Sequence, residues 1–188
     1  MSLLKSSNNI VVGKDTYYNG DIKLVASTDS KINIGSFCAI GSNLKIITLN
    51  HDYNYPAIQG KFYRKYFGSQ HPGEKNVVPT KQRTKGDVYI GNDVWIGDDV
   101  TVLSGIKIGN GCCIGTKSLV TKDLPPYSVC GGCPCIPIKY RYNDNIIKHL
   151  ENIKWWEWSD EKIKKNHIFF NLNLNNLNSN DNISSYVV

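Results

Sequence analysis

The chain has 188 residues, 40% of them hydrophobic and 20% charged, and a net charge of +6. That composition is globular and long enough to bury a core without cross-links, which excludes a disordered chain, a coiled coil and a secreted disulfide scaffold. No run approaches the ~18 apolar residues of a membrane-spanning helix. Residues 1–12 lack a basic region followed by an apolar run, so the expectation is a cytoplasmic protein whose six cysteines are reduced thiols. A charge of +6 suits an anionic small ligand and solvated surface better than nucleic acid, whose dedicated binders concentrate far more charge on one face.

From the N-terminus, residues 1–30 are read as an irregular cap. Ile22 falls in the phase of the repeat that follows, but Thr28 stands where an aliphatic residue is due. Residues 31–49 then place Ile34, Ile40 and Ile46 six apart, and residues 87–125 continue with Ile90, Ile96, Val102, Ile108, Ile114 and Val120. The following position is glycine at Gly35, Gly41, Gly91, Gly97, Gly109 and Gly115. Four residues after the aliphatic position come Cys38, Val94, Val100, Ile106, Cys112 and Ser118. A period of six fits neither the 3.6 of a helix nor strand alternation. It fits a chain that turns a corner every six residues. Three flat segments close a triangular coil of about 18 residues, and stacked coils make a parallel β-helix. The aliphatic side chain points into the prism, the glycine removes a Cβ penalty at the turn, and the small residue fills the corner.

Residues 50–86 interrupt the repeat as an extended loop rich in Tyr, Lys, Pro and His. A loop this long in a compact fold is functional or disordered, and Tyr53, Tyr55, Phe62, Tyr63, Tyr66 and Phe67 argue for order. After the coils, Pro125 and Pro126 break the prism. Residues 126–170 form a C-terminal extension. A helix from about Asp144 sets Ile146, Ile147, Leu150 and Ile153 on one face. Trp155, Trp156 and Trp158 at its end are expected to pack on the prism wall. A second short helix runs from an N-cap at Ser159 through Lys165. Residues 171–188 are an Asn-rich tail without readable chemistry.

The hexapeptides, with Gly91-Asn92-Asp93-Val94-Trp95-Ile96-Gly97, Val120-Thr121-Lys122-Asp123, Pro126-Tyr127, Gly131-Gly132, Ile138-Lys139-Tyr140-Arg141 and Ile153-Lys154-Trp155-Trp156-Glu157-Trp158, resemble the left-handed β-helix acyltransferases. More narrowly, they resemble the xenobiotic acetyltransferase group, which holds streptogramin and type B chloramphenicol acetyltransferases and sugar O-acetyltransferases. The resemblance implies an all-β, left-handed parallel β-helix with a long loop insertion and a short C-terminal helical segment. It implies acetyl-CoA as cosubstrate and a homotrimer with active sites between neighbouring prisms. The left hand comes from the resemblance, since crossover connections are ordinarily right-handed.

The same resemblance places the catalytic histidine at His51, in Thr48-Leu49-Asn50-His51-Asp52 at the start of the loop. Acetyl transfer from a thioester to a hydroxyl needs a base near neutral pKa, and His51 can serve the acceptor directly without a covalent enzyme intermediate. Asp52, a backbone carbonyl or another loop residue would orient it. His71, Tyr53 and Tyr55 are acceptor-binding candidates. Asp98, Thr116 and Thr121 occupy positions that border the pantetheine arm in the family, with Trp95 in the same strip. Lys122, Lys139 and Arg141 are candidates for the coenzyme phosphates. Lys81, Arg83 and Lys85 add positive charge near the loop.

No metal is expected. The γ-type carbonic anhydrases, also left-handed β-helices, hold zinc with three histidines, whereas the coils from Ile90 to Val120 contain none. Cys130, Cys133 and Cys135 lack a clear fourth ligand, and Cys133 and Cys135 depart from the Asn and Ala usual around that proline. Cys38 and Cys112 take the inward small position and read as core. The acceptor is expected to be a sugar or saccharide hydroxyl, with an amino-sugar nitrogen and an antibiotic of the streptogramin or chloramphenicol kind as alternatives. A non-catalytic hexapeptide scaffold is the reading without coenzyme affinity.

Overall fold

The computed structural model describes residues 1–26, 28–74, 83–177 and 181–188. Strands β1 (Ser2–Leu3), β2 (Ile10–Val12), β3 (Tyr17–Tyr18) and β4 (Ile22–Val25) come first, then β5 (Ile32–Ile34), β6 (Ala39–Ile40) and β7 (Leu44–Ile47). Helix α1 (Gly60–Phe67) lies in the loop. The coils resume with β8 (Val88–Ile90), β9 (Trp95–Ile96), β10 (Thr101–Leu103), β11 (Lys107–Ile108), β12 (Cys113–Ile114) and β13 (Leu119–Val120). A hairpin of β14 (Ser128–Gly131) and β15 (Ile136–Tyr140) follows, and helices α2 (Asp144–Ile153), α3 (Asp160–Lys165) and α4 (His167–Phe170) complete the order.

The strands stack into three parallel faces of a left-handed β-helix. The first face is β2-β5-β8-β11, the second β3-β6-β9-β12-β14 and the third β4-β7-β10-β13. Register follows the hexapeptide. Ile34 pairs with Ile90 and Ile90 with Ile108; Ile40 pairs with Ile96 and Ile96 with Ile114; Ile46 pairs with Val102 and Val102 with Val120. All nine aliphatic positions are buried, as are Cys38, Val94, Val100, Ile106, Cys112 and Ser118 in the small slot. Antiparallel strands close both ends of the second face, β1 on β3 and β15 on β14.

The glycines beside the aliphatic positions serve close approach rather than a special φ. A Cβ on Gly35 would stand 2.5 Å from the carbonyl oxygen of Gly91, and one on Gly97 2.8 Å from the Thr116 nitrogen. Left-handed residues sit elsewhere in each corner, at Asn43, Asp99 and Lys117 between the second and third faces. Asn and Asp side chains also bind the corners of adjacent coils. Asp98 Oδ1 accepts from the Ser42 N–H at 2.7 Å, and Asn92 Oδ1 from the Ser36 N–H at 2.8 Å. Each bond satisfies a corner amide that has no strand partner.

Residues 1–30 hold a full coil. Val12 pairs with Ile34, Tyr18 with Ile40 and Leu24 with Ile46. These residues are themselves six apart, but the turn from Leu24 to Ile34 is longer than a hexapeptide and shifts the phase. Leu24 therefore takes the inward position, and Ile22, opposite the fully buried Leu44, takes the small-residue slot. The stack also continues past Pro125 and Pro126, since β14 pairs in parallel with β12, Cys130 opposite Ile114.

The C-terminal elements make a second apolar cluster of Tyr127, Ile146, Leu150, Phe169 and Ile183. Asn143 caps α2 by accepting from the Ile146 N–H, and Ser159 caps α3 by accepting from the Lys162 N–H. Trp156 is buried, and Trp155 meets Phe37 of the prism with ring centroids 5.1 Å apart. Lys14 and Asp160 form an ion pair that joins the first coil to α3. The described part of the tail is packed. Ile183 is fully buried, and the Asn166 side chain bonds both the N–H and the C=O of Val188.

Candidate active site

The loop departs from the corner between the third and first faces, and a stem closes it. The Asn50 N–H donates to the Arg83 carbonyl at 2.6 Å, and the Asn50 side chain reaches the Ser104 hydroxyl of the next coil at 3.2 Å. The same hydroxyl accepts from the Lys85 N–H at 3.2 Å. Ser104 is buried, so both ends of the loop are fastened to one interior hydroxyl.

His51 follows this stem and is exposed, on the wall of a cavity of about 120 Å³. Among the described residues neither of its ring nitrogens has a hydrogen-bond partner, so one is open to take a proton from an approaching hydroxyl. Leu49 and Ile58, 45% and 52% exposed, give the cavity an apolar side; Glu74 and Arg83 give it a polar one. Leu49 belongs to the segment around His51, whereas Ile58, Glu74 and Arg83 are brought to it by folding of the loop. Arg64 on α1 pairs with Glu74 at 2.8 Å and holds the far wall.

His71 lines the same cavity but is buried, with both nitrogens engaged. The Gly73 N–H donates to Nδ1 at 3.0 Å. Nε2 therefore carries the proton and donates to the Ala57 carbonyl at 3.1 Å. Tyr55 and Tyr63 stand edge-on to its ring at 5.1 and 4.9 Å. Both ring nitrogens of His71 are thus engaged within the chain, and its ring packs with Tyr55 and Tyr63 to pin the loop. Asp52 is buried nearby, with Oδ1 accepting from the Asn54 N–H at 3.0 Å and Gly73 packed against its carboxylate. Tyr53 is 70% exposed and lies outside the cavity lining.

The coenzyme candidates fall into three places. Trp95, Asp98 and Thr116 come together around a cavity of about 220 Å³ on the second face and its corner with the third. Thr121 and Lys122 follow β13, at the corner between the third and first faces where the loop with His51 also leaves. Lys139 lies on β15, exposed. Arg141 follows β15 and is engaged within the chain. Its guanidinium donates to Asp93 Oδ2 at 3.1 Å, the Gly111 carbonyl at 2.8 Å and the Tyr142 hydroxyl at 3.1 Å, which ties the end of β15 to the prism. Burial holds the Asp93 carboxyl above its ordinary range despite this cation. Lys81 lies outside the described residues.

All six cysteines are free thiols. Burial pushes Cys38 and Cys112 up to about 11, as suits core positions, and Cys133 alone of the six is exposed. Among the described residues no group of three His, Cys, Asp or Glu side chains is placed to hold a metal. No described helix is long and apolar enough to cross a membrane.

Residues 87–122 match the model of the bacterial transferase hexapeptide family, six repeats. The chain is 40% identical over 171 residues to a chloramphenicol acetyltransferase of Klebsiella aerogenes, covering 83% of this chain and 79% of that relative. Among solved structures it is similar to a maltose O-acetyltransferase from Clostridium difficile 630, at 31% identity and a TM-score of 0.52, covering 72% of this chain and 60% of that one. It is also similar to a galactoside acetyltransferase in complex with coenzyme A, at 28% identity and a TM-score of 0.54, covering 81% of this chain and 61% of that one. The repeat, the three-faced prism and the length of these matches make the chain a member of the hexapeptide-repeat acetyltransferase family.

Proposed function

We propose that this acetyltransferase moves an acetyl group directly from acetyl-CoA to the hydroxyl of a small amphipathic alcohol, with His51 as general base. The observation that carries this reading is an exposed histidine whose ring nitrogens have no hydrogen-bond partner among the described residues, on the wall of a cavity built by the loop. His51 takes the hydroxyl proton as the oxygen attacks the thioester carbonyl. The carbon–sulfur bond then breaks, and the departing thiolate recovers the proton from His51. Thr116, Asp98 and Trp95 would line the pantetheine arm, and Lys122 and Lys139 would face the phosphates. Apolar Leu49 and Ile58 and the likeness to a chloramphenicol acetyltransferase favour an antibiotic-type alcohol. A saccharide hydroxyl is the second reading, favoured by the exposed ring of Tyr53, which suits a sugar face.

Within one chain the third face of the prism separates Trp95, Asp98 and Thr116 from His51. A homotrimer, in which that strip of one copy meets the loop of the next, would complete the site. The six free thiols support a reducing compartment, the cytoplasm.

The test is thiol release from acetyl-CoA with chloramphenicol, maltose, a galactoside and an amino sugar as acceptors. Turnover of chloramphenicol above the saccharides is the expected result, and a preference for a saccharide or for the amine reassigns the acceptor. His51→Ala is expected to keep its fold and lose at least ~10²-fold in kcat. Near-normal turnover in that variant removes His51 from the role of base.

A further inference from the structure

The chain has three arginines, and they are held in different ways. Arg64 pairs with Glu74 at 2.8 Å. Arg141 pairs with Asp93 at 3.1 Å and also donates to the Gly111 carbonyl and the Tyr142 hydroxyl. Arg83 has no carboxylate within ion-pair distance among the described residues. Its side-chain hydrogen bond there runs to the Gly73 carbonyl at 3.5 Å, beyond the usual range of such a bond. A guanidinium carries five N–H donors in a planar fork, so most of those of Arg83 are unused within the described chain.

Both ends of this side chain lie along the His51 cavity. The Arg83 carbonyl accepts from the Asn50 N–H at 2.6 Å, which sets its backbone beside the residue before His51. The guanidinium reaches Gly73, which adjoins Glu74 and donates to the His71 ring. Asn50, His51, His71, Glu74 and Arg83 all line the cavity, and Arg83 is half-buried there. The other charged side chains of the wall have partners in the chain. Glu74 is held by Arg64, and the buried Asp52 accepts from the Asn54 N–H. The cavity therefore combines an exposed base, an apolar side from Leu49 and Ile58, and a cationic fork with donors to give.

We infer that Arg83 selects the acceptor, its guanidinium donating to a planar pair of oxygens, carboxylate or nitro, on a small alcohol whose hydroxyl reaches His51. The inference rests on the reading of this cavity as the acceptor site with His51 as base. A flat two-oxygen group matches the guanidinium fork, and an ammonium on the acceptor is disfavoured beside it. The apolar body of the same alcohol packs on Leu49 and Ile58.

The experiment uses the full chain with three alcohols of matched shape: 4-carboxybenzyl, 4-nitrobenzyl and 4-isopropylbenzyl alcohol. Equilibrium binding is read by saturation-transfer NMR and turnover by thiol release from acetyl-CoA. The wild type should favour both oxygen-bearing alcohols over the isopropyl one by about tenfold. A carboxylate ahead of nitro shows that charge adds to the fork, and equality shows that the fork alone suffices. Arg83→Met should abolish the preference and raise the acceptor KM while the acetyl-CoA KM stays unchanged. Arg83→Lys should restore the preference for the carboxylate but not for nitro. Equal binding of the three alcohols by the wild type overturns the inference, as does failure of all three to bind or a preference that survives Arg83→Met. A raised acetyl-CoA KM in Arg83→Met also overturns it, because the cation would then serve the coenzyme. So does an equal loss for all three alcohols with a lowered Tm, because Arg83 would then only brace the loop. The same binding measurement on His51→Ala separates the two readings. If His51→Ala keeps its turnover, the base is reassigned and the preference stands; if it loses turnover yet binds the three alcohols equally, the role of Arg83 falls.

Discussion

In the coils, each stabilising contact is a copy of the one above it. Ile40, Ile96 and Ile114 form one column, and the amides at successive corners are bound by Asn92 and Asp98 alike. Among the described residues of the loop from Asn50 to Gly86 the fastenings differ from one another: a stem on Ser104, an ion pair between Arg64 and Glu74, and a buried histidine bonded at both nitrogens. The coils are therefore redundant and rigid, and the loop depends on single fastenings. The difference suits the chemistry, because a scaffold must tolerate substitution whereas an acceptor pocket must be set by few residues.

The strongest test of the contrast is Ile96→Ala in the middle column. Removing this fully buried side chain should cost about 2–5 kcal/mol and shift the whole denaturation curve, because its neighbours above and below cannot collapse into the gap. A loss under ~1 kcal/mol in urea unfolding would mean that the column is not close-packed. Alkaline pH probes the same core more gently. The Cys38 and Cys112 thiols rise from 9.0 to about 11 on folding, so the folded state holds their protons more tightly. Their stabilisation is complete below pH 9 and is lost as the pH rises through 11, on the order of 2 kcal/mol each. Urea midpoints between pH 8 and 11 should fall more steeply in the wild type than in a Cys38→Ala, Cys112→Ala double variant. The smallest effect belongs to the loop. His71→Gln should lower kcat/KM about tenfold with Tm nearly unchanged, since a glutamine keeps one of the two backbone bonds but not the ring against Tyr55 and Tyr63. An equal fall in Tm would make the loop part of the core.

The prism was legible because its signal is arithmetical: a residue that returns every six positions must face inward if the chain turns three corners per coil. The first coil escaped one continuous phase, although Val12, Tyr18 and Leu24 keep the same period, because the turn before Ile34 is longer. Helix α1 escaped for a different reason. Gln59 makes no side-chain cap and the helix buries none of its residues, so its signs are slight: Phe62, Tyr63, Tyr66 and Phe67 at helical spacing and the left-handed Gly68 at its end. In the site, His51 stands out only through the resemblance to the family, which implies a base at the start of the loop. The partners of His71 and Arg141 have no sequence signal, since folding supplies them: Ala57 and Gly73 for one, Asp93 and Gly111 for the other.

The stem on Ser104 has an evolutionary corollary. Two chain ends pinned side by side on one hydroxyl make the segment between them a cassette. The closure entropy of such a segment grows only slowly with its length. Insertions and deletions beyond Asn50 can therefore lengthen, shorten or replace the segment while the adjoining coils keep their register. Divergence among acceptors can then proceed by exchange of a surface module, with the prism inherited intact.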